Sequence, residues 1–453
     1  MTSRDDGLVH AAPASPWAAG AWRWFATPDR RLLILSIVVQ LALAALLGHS
    51  RDTRMFLATG YLVGTGHSPY VAQDLTQIFH HVGFRSISVV GYPPPWPLLL
   101  GLIYRGTFAL SHDLIIYNLA VKLPVIAANI GLAYLVAAVL DSLGAGRDVA
   151  RKAWAFLLLN PFLLYVGAAW GQIDAIVAVL AVAALALLYA RRPAASALAL
   201  ALAVCVKPIA APILLVVLVY LAARSARRAA WYALVFAAGV LALYVAPFLV
   251  FGWDSSPLRQ LNAHFIMSGT MSFMSVVRLV RDPLLMQGRW WLLGLAWIPA
   301  LAVAALALRR GIGGFDDLVA KSAAFILVFY LTRTWLAEPN IVLLLPLVLI
   351  LAALGEIDRR ALTALWLIPL LFTLFNASPL QLLFVTWPGA MESSLQFVSR
   401  YGDVTLVVRA ALVIAWQVLG WWIVVMCFKK RPAGAALPAR TPDAAADEVV
   451  SWN

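Results

Sequence analysis

Cysteine is nearly absent from this 453-residue chain: Cys205 and Cys427 are the only two, and both sit inside apolar runs. Neither a disulfide framework nor a thiolate zinc site is therefore expected. Charge is sparse as well, at 12% of residues where soluble domains carry about a quarter. The alternation of apolar and polar residues over about ten positions that marks a membrane β-barrel strand is missing. What fills the sequence is hydrophobic: 63% of residues, mean hydropathy +0.87, with several runs near the ~20 residues that cross a bilayer as a helix. Helices then satisfy the backbone in lipid, so the fold class is all-α and polytopic.

The net charge of +13 suggests nucleic acid at first sight, but the basic residues stand in short clusters between hydrophobic runs. That is the positive-inside pattern of a membrane protein, and no nucleic acid is expected. The clusters placed in the cytoplasm are Arg30-Arg31, Arg147 with Arg151-Lys152, Arg191-Arg192, Arg224 with Arg227-Arg228, Arg309-Arg310, Arg359-Arg360 and Lys429-Lys430-Arg431. Outward spans are then Leu32–Gly48, Ala153–Ala168, Ala194–Val206, Ala229–Phe251, Ser322–Thr332 extended to Leu336, and Ala361–Phe375. Return spans are Leu114–Leu140, Ala175–Ala190, Ile209–Ala223, Trp290–Leu308, Ile341–Leu354 and Thr405–Phe428. This gives about 12 transmembrane helices with both termini cytoplasmic, a multi-pass protein of the plasma (inner) membrane. Pro94 to Leu110 is apolar too, but its prolines and Arg105 suit a re-entrant or interfacial helix better than a crossing.

Residues 1–31 read as a cytoplasmic N-terminal segment before a retained signal anchor, and 32–223 as a catalytic transmembrane module. Residues 224–430 read as a C-terminal transmembrane module and 431–453 as a disordered cytoplasmic tail. Three outer segments are long: His49 to His112, Gly252 to Arg289, and Asn376 to Asp403. In the first, Met55-Phe56-Leu57 and Tyr61-Leu62-Val63 recur near helical spacing and predict interfacial helices lying on the bilayer. The cytoplasmic connections are short, so the outer face carries the work.

Asp52, between Arg51 and Arg54, follows the first span. Kept ionised there, it can accept a proton from a sugar hydroxyl. A solvated interfacial residue whose arginines meet lipid phosphates explains it equally well. Trp170-Gly171-Gln172-Ile173-Asp174 reads as a tight tip between spans: a glycine turn, two hydrogen-bonding side chains and a sugar-stacking face. An aromatic-belt tryptophan beside a polar loop is the plainer account. Lys207 ends a short helix broken by Pro208 and Pro212, where an ammonium needs an anion or water; a lipid phosphate or simple snorkelling would serve. Glu338 with Asn340, and His264 with Arg259, Arg278 and Arg281, add polar groups on outer segments, where surface decoration explains each one alone. Asn160-Pro161 marks a kink within a span. No Asp-x-Asp pair stands beside Asp52 and the adjacent His80-His81 are not at a helical ligand spacing, so neither a metal nor another cofactor is expected.

The order of these motifs is Asp52, Tyr92-Pro93-Pro94, Lys122-Leu123-Pro124-Val125-Ile126, Asn160-Pro161, Trp170-Gly171-Gln172-Ile173-Asp174 and Lys207-Pro208. It resembles the GT-C polyprenol-phosphate-sugar-dependent glycosyltransferases, particularly prokaryotic mannosyltransferases related to the second GPI-anchor mannosyltransferase. The resemblance covers Leu32 to Ala223 and extends beyond it only by architecture. It departs at Asn129, where such proteins often have Asp, and at Ala337-Glu338-Pro339-Asn340, where many have His-Glu-Arg-Tyr. The resemblance implies Asp52 as the catalytic carboxylate, with Trp170, Gln172 and Asp174 at the sugar and Lys207 near the lipid phosphate. Arg51, Arg54, Tyr92, His264 and Glu338 complete the expected substrate contacts. The expected reaction moves a hexose, mannose first, from a polyprenyl-phosphate donor to a hydroxyl of a glycan, glycolipid or protein, at the outer face and with inversion. A lipid-linked-sugar flippase or other transporter is the alternative, as is a surface-glycan polymerase or ligase.

Overall fold

The computed structural model describes residues 29–71, 74–79, 91–253, 269–277, 293–376 and 378–429. Helices dominate, as the composition requires. The first is α1 (Arg30–Leu46), capped by the Asp29 carboxylate on the Arg31 and Leu32 amides. Then come α2 (Ser50–Gly64), α3 (Pro95–Gly106), α4 (Leu114–Ser142) and α5 (Arg147–Leu159). Beyond Asn160 the chain continues through Pro161–Leu163 into a π-helical segment, Leu164–Trp170. Asn160 ends one helix and caps the next, accepting from the Phe162 and Leu163 amides, so Asn160-Pro161 is the expected kink. The chain then forms α6 (Asp174–Tyr189), α7 (Pro193–Val206), α8 (Pro212–Ala222) and α9 (Ala226–Val240), the last running on to Phe251. The C-terminal half holds α10 (Trp297–Ala307), α11 (Phe315–Thr332), α12 (Leu344–Ala353), α13 (Arg359–Asn376) and α14 (Ala390–Phe428).

Among the described residues, four stretches are long and apolar enough to cross a membrane: Leu114–Ser142, Arg147–Trp170, Ala226–Phe251 and Ser399–Phe428. The expected dozen counts shorter pieces as well. Several are apolar helices of 10–17 residues, such as Pro193–Val206, which at 14 residues is about 21 Å long. Lys207 leaves the helix with extended backbone and Pro208–Ala210 forms a 3-10 turn, the break expected there. The extension of Ser322–Thr332 to Leu336 is wrong. Helix α11 stops at Thr332, and Trp335–Leu336 (β2) pairs in parallel with Gly269–Thr270 (β1). α3 is too short to cross at about 18 Å, in keeping with a peripheral segment.

The interfacial helix expected after α1 exists as α2, but its apolar residues pack into the protein. Phe56, Leu57, Ala58 and Leu62 are buried, and Tyr117 of α4 donates to the Phe56 carbonyl at 2.7 Å. One hydrophobic cluster takes in Phe56 near the start and Cys427 near the end, so residues of both sequence-defined modules share a core.

Candidate active site

Asp52 sits in the first turn of α2, where the helix dipole favours a carboxylate. The preceding Gly48 lies where a Cβ would fall 2.5 Å from Val385 and 2.8 Å from the Asn118 side chain, so only glycine allows this approach. Its amide donates to the Leu382 carbonyl at 2.6 Å, fixing the start of α2 against the C-terminal half.

The Asp52 carboxylate is addressed from one side. Trp170 Nε1 donates to Oδ2 at 2.5 Å and Gln172 Nε2 donates to the same oxygen at 2.8 Å. His49 Nδ1 stands 3.3 Å from that oxygen too, with its ring stacked on Trp170 at 4.7 Å. Oδ1 takes part in none of these contacts. Burial pushes the Asp52 carboxyl up, but His49 beside it, the Trp170 hydrogen bond and the Arg51 charge together hold it below its ordinary value. Asp52 is thus a carboxylate at neutral pH with one oxygen occupied and one open.

Gln172 is oriented from behind. Tyr92 O–H donates to its Oε1 at 3.3 Å, which turns the amide nitrogen toward Asp52. Burial, with the nearby charges of Asp52 and Asp174, raises the Tyr92 phenol well above its ordinary range, so it remains a donor. The turn that carries Trp170 and Gln172 requires Gly171, whose φ is +96°.

Asp174, fully buried at the start of α6, meets Lys207 from the end of α7: Nζ lies 2.8 Å from Oδ1 and 2.9 Å from Oδ2. The anion for Lys207 is thus inside the protein, where the sequence suggested a lipid phosphate. The pair takes two of the three ammonium hydrogens, and the lysine side chain stays 15% exposed. Glu338, 2% exposed, accepts from Asn376 Nδ2 at 2.6 Å, and Arg409 Nη1 donates to the Asn376 oxygen at 2.9 Å.

The structure therefore brings Asp52, Tyr92, Trp170 and Gln172 into one hydrogen-bonded cluster, with Asp174 two residues further along the same tip and paired to Lys207 from the end of α7. Arg54 departs from its expected place beside Asp52. Its Nε donates to Ser50 O at 2.8 Å and its guanidinium lies over the Phe384 ring, because α2 turns that side toward the C-terminal segment. Glu338 makes its hydrogen bond to Asn376, which Arg409 holds in turn, and its carboxylate also feels the charge of His49, the residue beside Asp52. His264, with Arg259, Arg278 and Arg281, lies outside the described residues, as do His80-His81. Sequence reasoning missed His49, although a histidine three residues before an aspartate at a helix start is spaced to meet it on one helix face. Arg333, which precedes the Glu338 turn in the sequence, has its guanidinium 4.8 Å from the Phe329 ring centroid and has no carboxylate partner among the described residues. Among those residues no group of three or more His, Cys, Asp or Glu is placed to hold a metal ion.

A predominantly helical, apolar protein with four stretches long enough to cross a bilayer is a membrane protein. Residues 91–339, more than half the chain, match the model of Glycosyltransferase family 87, and the chain belongs to that family. It is a membrane glycosyltransferase acting between a sugar donor and an acceptor. None of the curated proteins matches the chain. Tyr92, Trp170, Gln172, Asp174, Lys207 and Glu338 fall within the matched region, whereas His49 and Asp52 precede it.

Proposed function

We propose that this enzyme transfers a hexose, mannose in the first instance, from a polyprenyl-phosphate donor to a hydroxyl of a glycan, glycolipid or protein. The observation that carries this reading is the one-sided Asp52 carboxylate: Trp170, Gln172 and His49 all gather on Oδ2 and leave Oδ1 for a substrate. The acceptor hydroxyl places its proton on Oδ1 as its oxygen attacks the anomeric carbon. The carbon–oxygen bond to phosphate breaks on the opposite face, inverting the centre, and the polyprenyl phosphate leaves with the bonding pair. A phosphate leaving group needs little protonation, so the larger electrostatic task is to stabilise its charge. Lys207 serves there with the ammonium hydrogen that Asp174 does not take.

The site is assigned to the outer face of the plasma membrane, with both termini cytoplasmic and the donor's prenyl tail in the bilayer. The positive-inside distribution of arginine and lysine supports this orientation. The test is incubation of membranes carrying the enzyme with labelled polyprenyl-phosphate mannose, glucose and arabinose, followed by analysis of the products. Labelled glycan or glycolipid from the mannosyl donor is the expected result. Movement of intact donor across the bilayer with no glycosidic product would replace transfer by transport.

A further inference from the structure

α4 carries Lys122 within an otherwise apolar stretch, and its side chain is 1% exposed. Among the described residues it has no carboxylate partner. Its ammonium instead donates to two backbone carbonyls, Leu47 O at 2.5 Å and Ala169 O at 2.8 Å. Leu47 is the C-cap of α1 and Ala169 lies in the last turn of the π-helical segment. Both carbonyls belong to helix C-termini, where backbone acceptors are unsatisfied and partial negative charge collects. Two helix ends thus take the place of a counter-ion.

Those two ends lead directly to the active site. Leu47 stands two residues before His49, and Ala169 immediately precedes Trp170. Asn118, one turn earlier on α4, donates to Ala44 O at 2.6 Å and Leu47 O at 2.9 Å, so it ties down α1 alone. Lys122 joins both. Gly171 lies against the lysine stem, where a Cβ would come 2.9 Å from Cε. The cavity shared by Lys122, Thr53, Trp170 and Gly171 is only about 10 Å³. One water needs roughly 10–15 Å³, so no substrate group reaches the ammonium.

We propose that Lys122 is a positioning residue for sugar transfer: it clamps the end of α1 to the end of the 164–170 segment, keeping the Trp170 and Gln172 donors on Asp52 Oδ2. The proposal rests on the reading of Asp52 as the base. The groups facing Asp52 are His49 and Arg51 from its own segment, Tyr92 from the turn before α3, and Trp170 with Gln172 from the tip. All of them remain in a Lys122 variant.

Lys122→Met keeps the length of the stem and removes the donors. The measurement is kcat and KM against pH for the purified full chain in lipid nanodiscs, with polyprenyl-phosphate mannose as donor. Expected are a fall in kcat of about 10²-fold, as for a reacting group displaced by about an ångström, an acid limb moved to higher pH, and an unchanged donor KM. Lys122→Arg, which keeps charge and donors, should recover part of kcat and restore the limb. If Lys122→Met does not fold, Lys122→Gln, whose amide can serve one carbonyl, is read by the same criteria. A folded variant with wild-type kcat and acid limb overturns the proposal, and so does a loss confined to donor KM. Asp52→Asn separates the two levels. If it stays active, the base lies elsewhere and both readings fall; if it is inactive while Lys122→Met is normal, only the clamp falls.

Discussion

Trp170 Nε1 stands 2.5 Å from Asp52 Oδ2, although 118 residues separate them in the chain. The indole does two things for the carboxylate: it stabilises the charged form and it fills one oxygen. Asp52 is therefore specified from α2 and from the tip after the π-helical segment at once.

Trp170→Phe keeps a ring against His49 but deletes that donor. A hydrogen bond to a charged group is worth about 1.5–3 kcal/mol. The Asp52 carboxyl is held below its ordinary value, so its charged form, and the stability that goes with it, is present above the unfolded pKa of about 3.9. Both are lost as pH falls through the lower folded value. Trp170→Phe should move the acid limb of kcat/KM upward in pH and lower the plateau by about 10-fold or more. A pH–rate profile of the two enzymes side by side reads this.

Gln172 faces Asp52 through its amide nitrogen because Tyr92 holds the amide oxygen. Gln172→Glu would put a second carboxylate against Asp52, and like charges in one site cannot both ionise cheaply. Transfer at neutral pH should be nearly lost. Tyr92→Phe removes only a long 3.3 Å bond and should cost several-fold in kcat at most. Steady-state kinetics with saturating donor gives the order of the two effects.

Lys207 and Asp174 cannot be tested singly. Lys207→Met leaves a fully buried carboxylate without its partner, and breaking such a pair costs about 3–5 kcal/mol. That variant should unfold at a clearly lower temperature. Lys207→Met combined with Asp174→Leu should recover much of the stability and still show weakened donor use. Thermal unfolding in detergent with donor KM separates structural from functional loss; normal donor KM in the folded double variant would return Lys207 to a purely structural role.

The sequence made some of this legible and hid the rest for identifiable reasons. Asp52 and the Trp170–Asp174 tip stand out because polar residues are rare in an apolar chain and these cluster at a helix start and a glycine turn. Their mutual contacts were not legible, because nothing local links α2 to a tip 118 residues later. Lys207 looked unpaired for the same reason: its anion is 33 residues upstream on another helix. The end of α11 falls at Thr332, short of Leu336, because the backbone turns extended at Arg333 and stops the helix. Arg54 was assigned by adjacency to Asp52, but helix geometry turns neighbours two apart to different sides.

Topology is open to direct labelling. Cys205 and Cys427 are both buried, so the native background should be low. Cysteine introduced at the exposed positions Arg191 and Arg359 should react with an impermeant maleimide only from the cytoplasm, and at Trp387, 50% exposed, only from outside. Labelling of position 387 from the cytoplasm would invert the assigned face.

The central claim is that Asp52 Oδ1 takes the acceptor proton during transfer from a polyprenyl-phosphate sugar. It is tested most directly by following labelled mannose from polyprenyl-phosphate mannose into product with wild-type and Asp52→Asn enzyme in proteoliposomes, with donor binding measured in parallel. Asn keeps the shape and still accepts one hydrogen bond, but it cannot hold the proton. Losing a positioned general base costs about 10²–10⁴-fold, so turnover should fall by that factor while donor affinity stays within a few-fold of wild type. Near-normal transfer by folded Asp52→Asn would contradict the account.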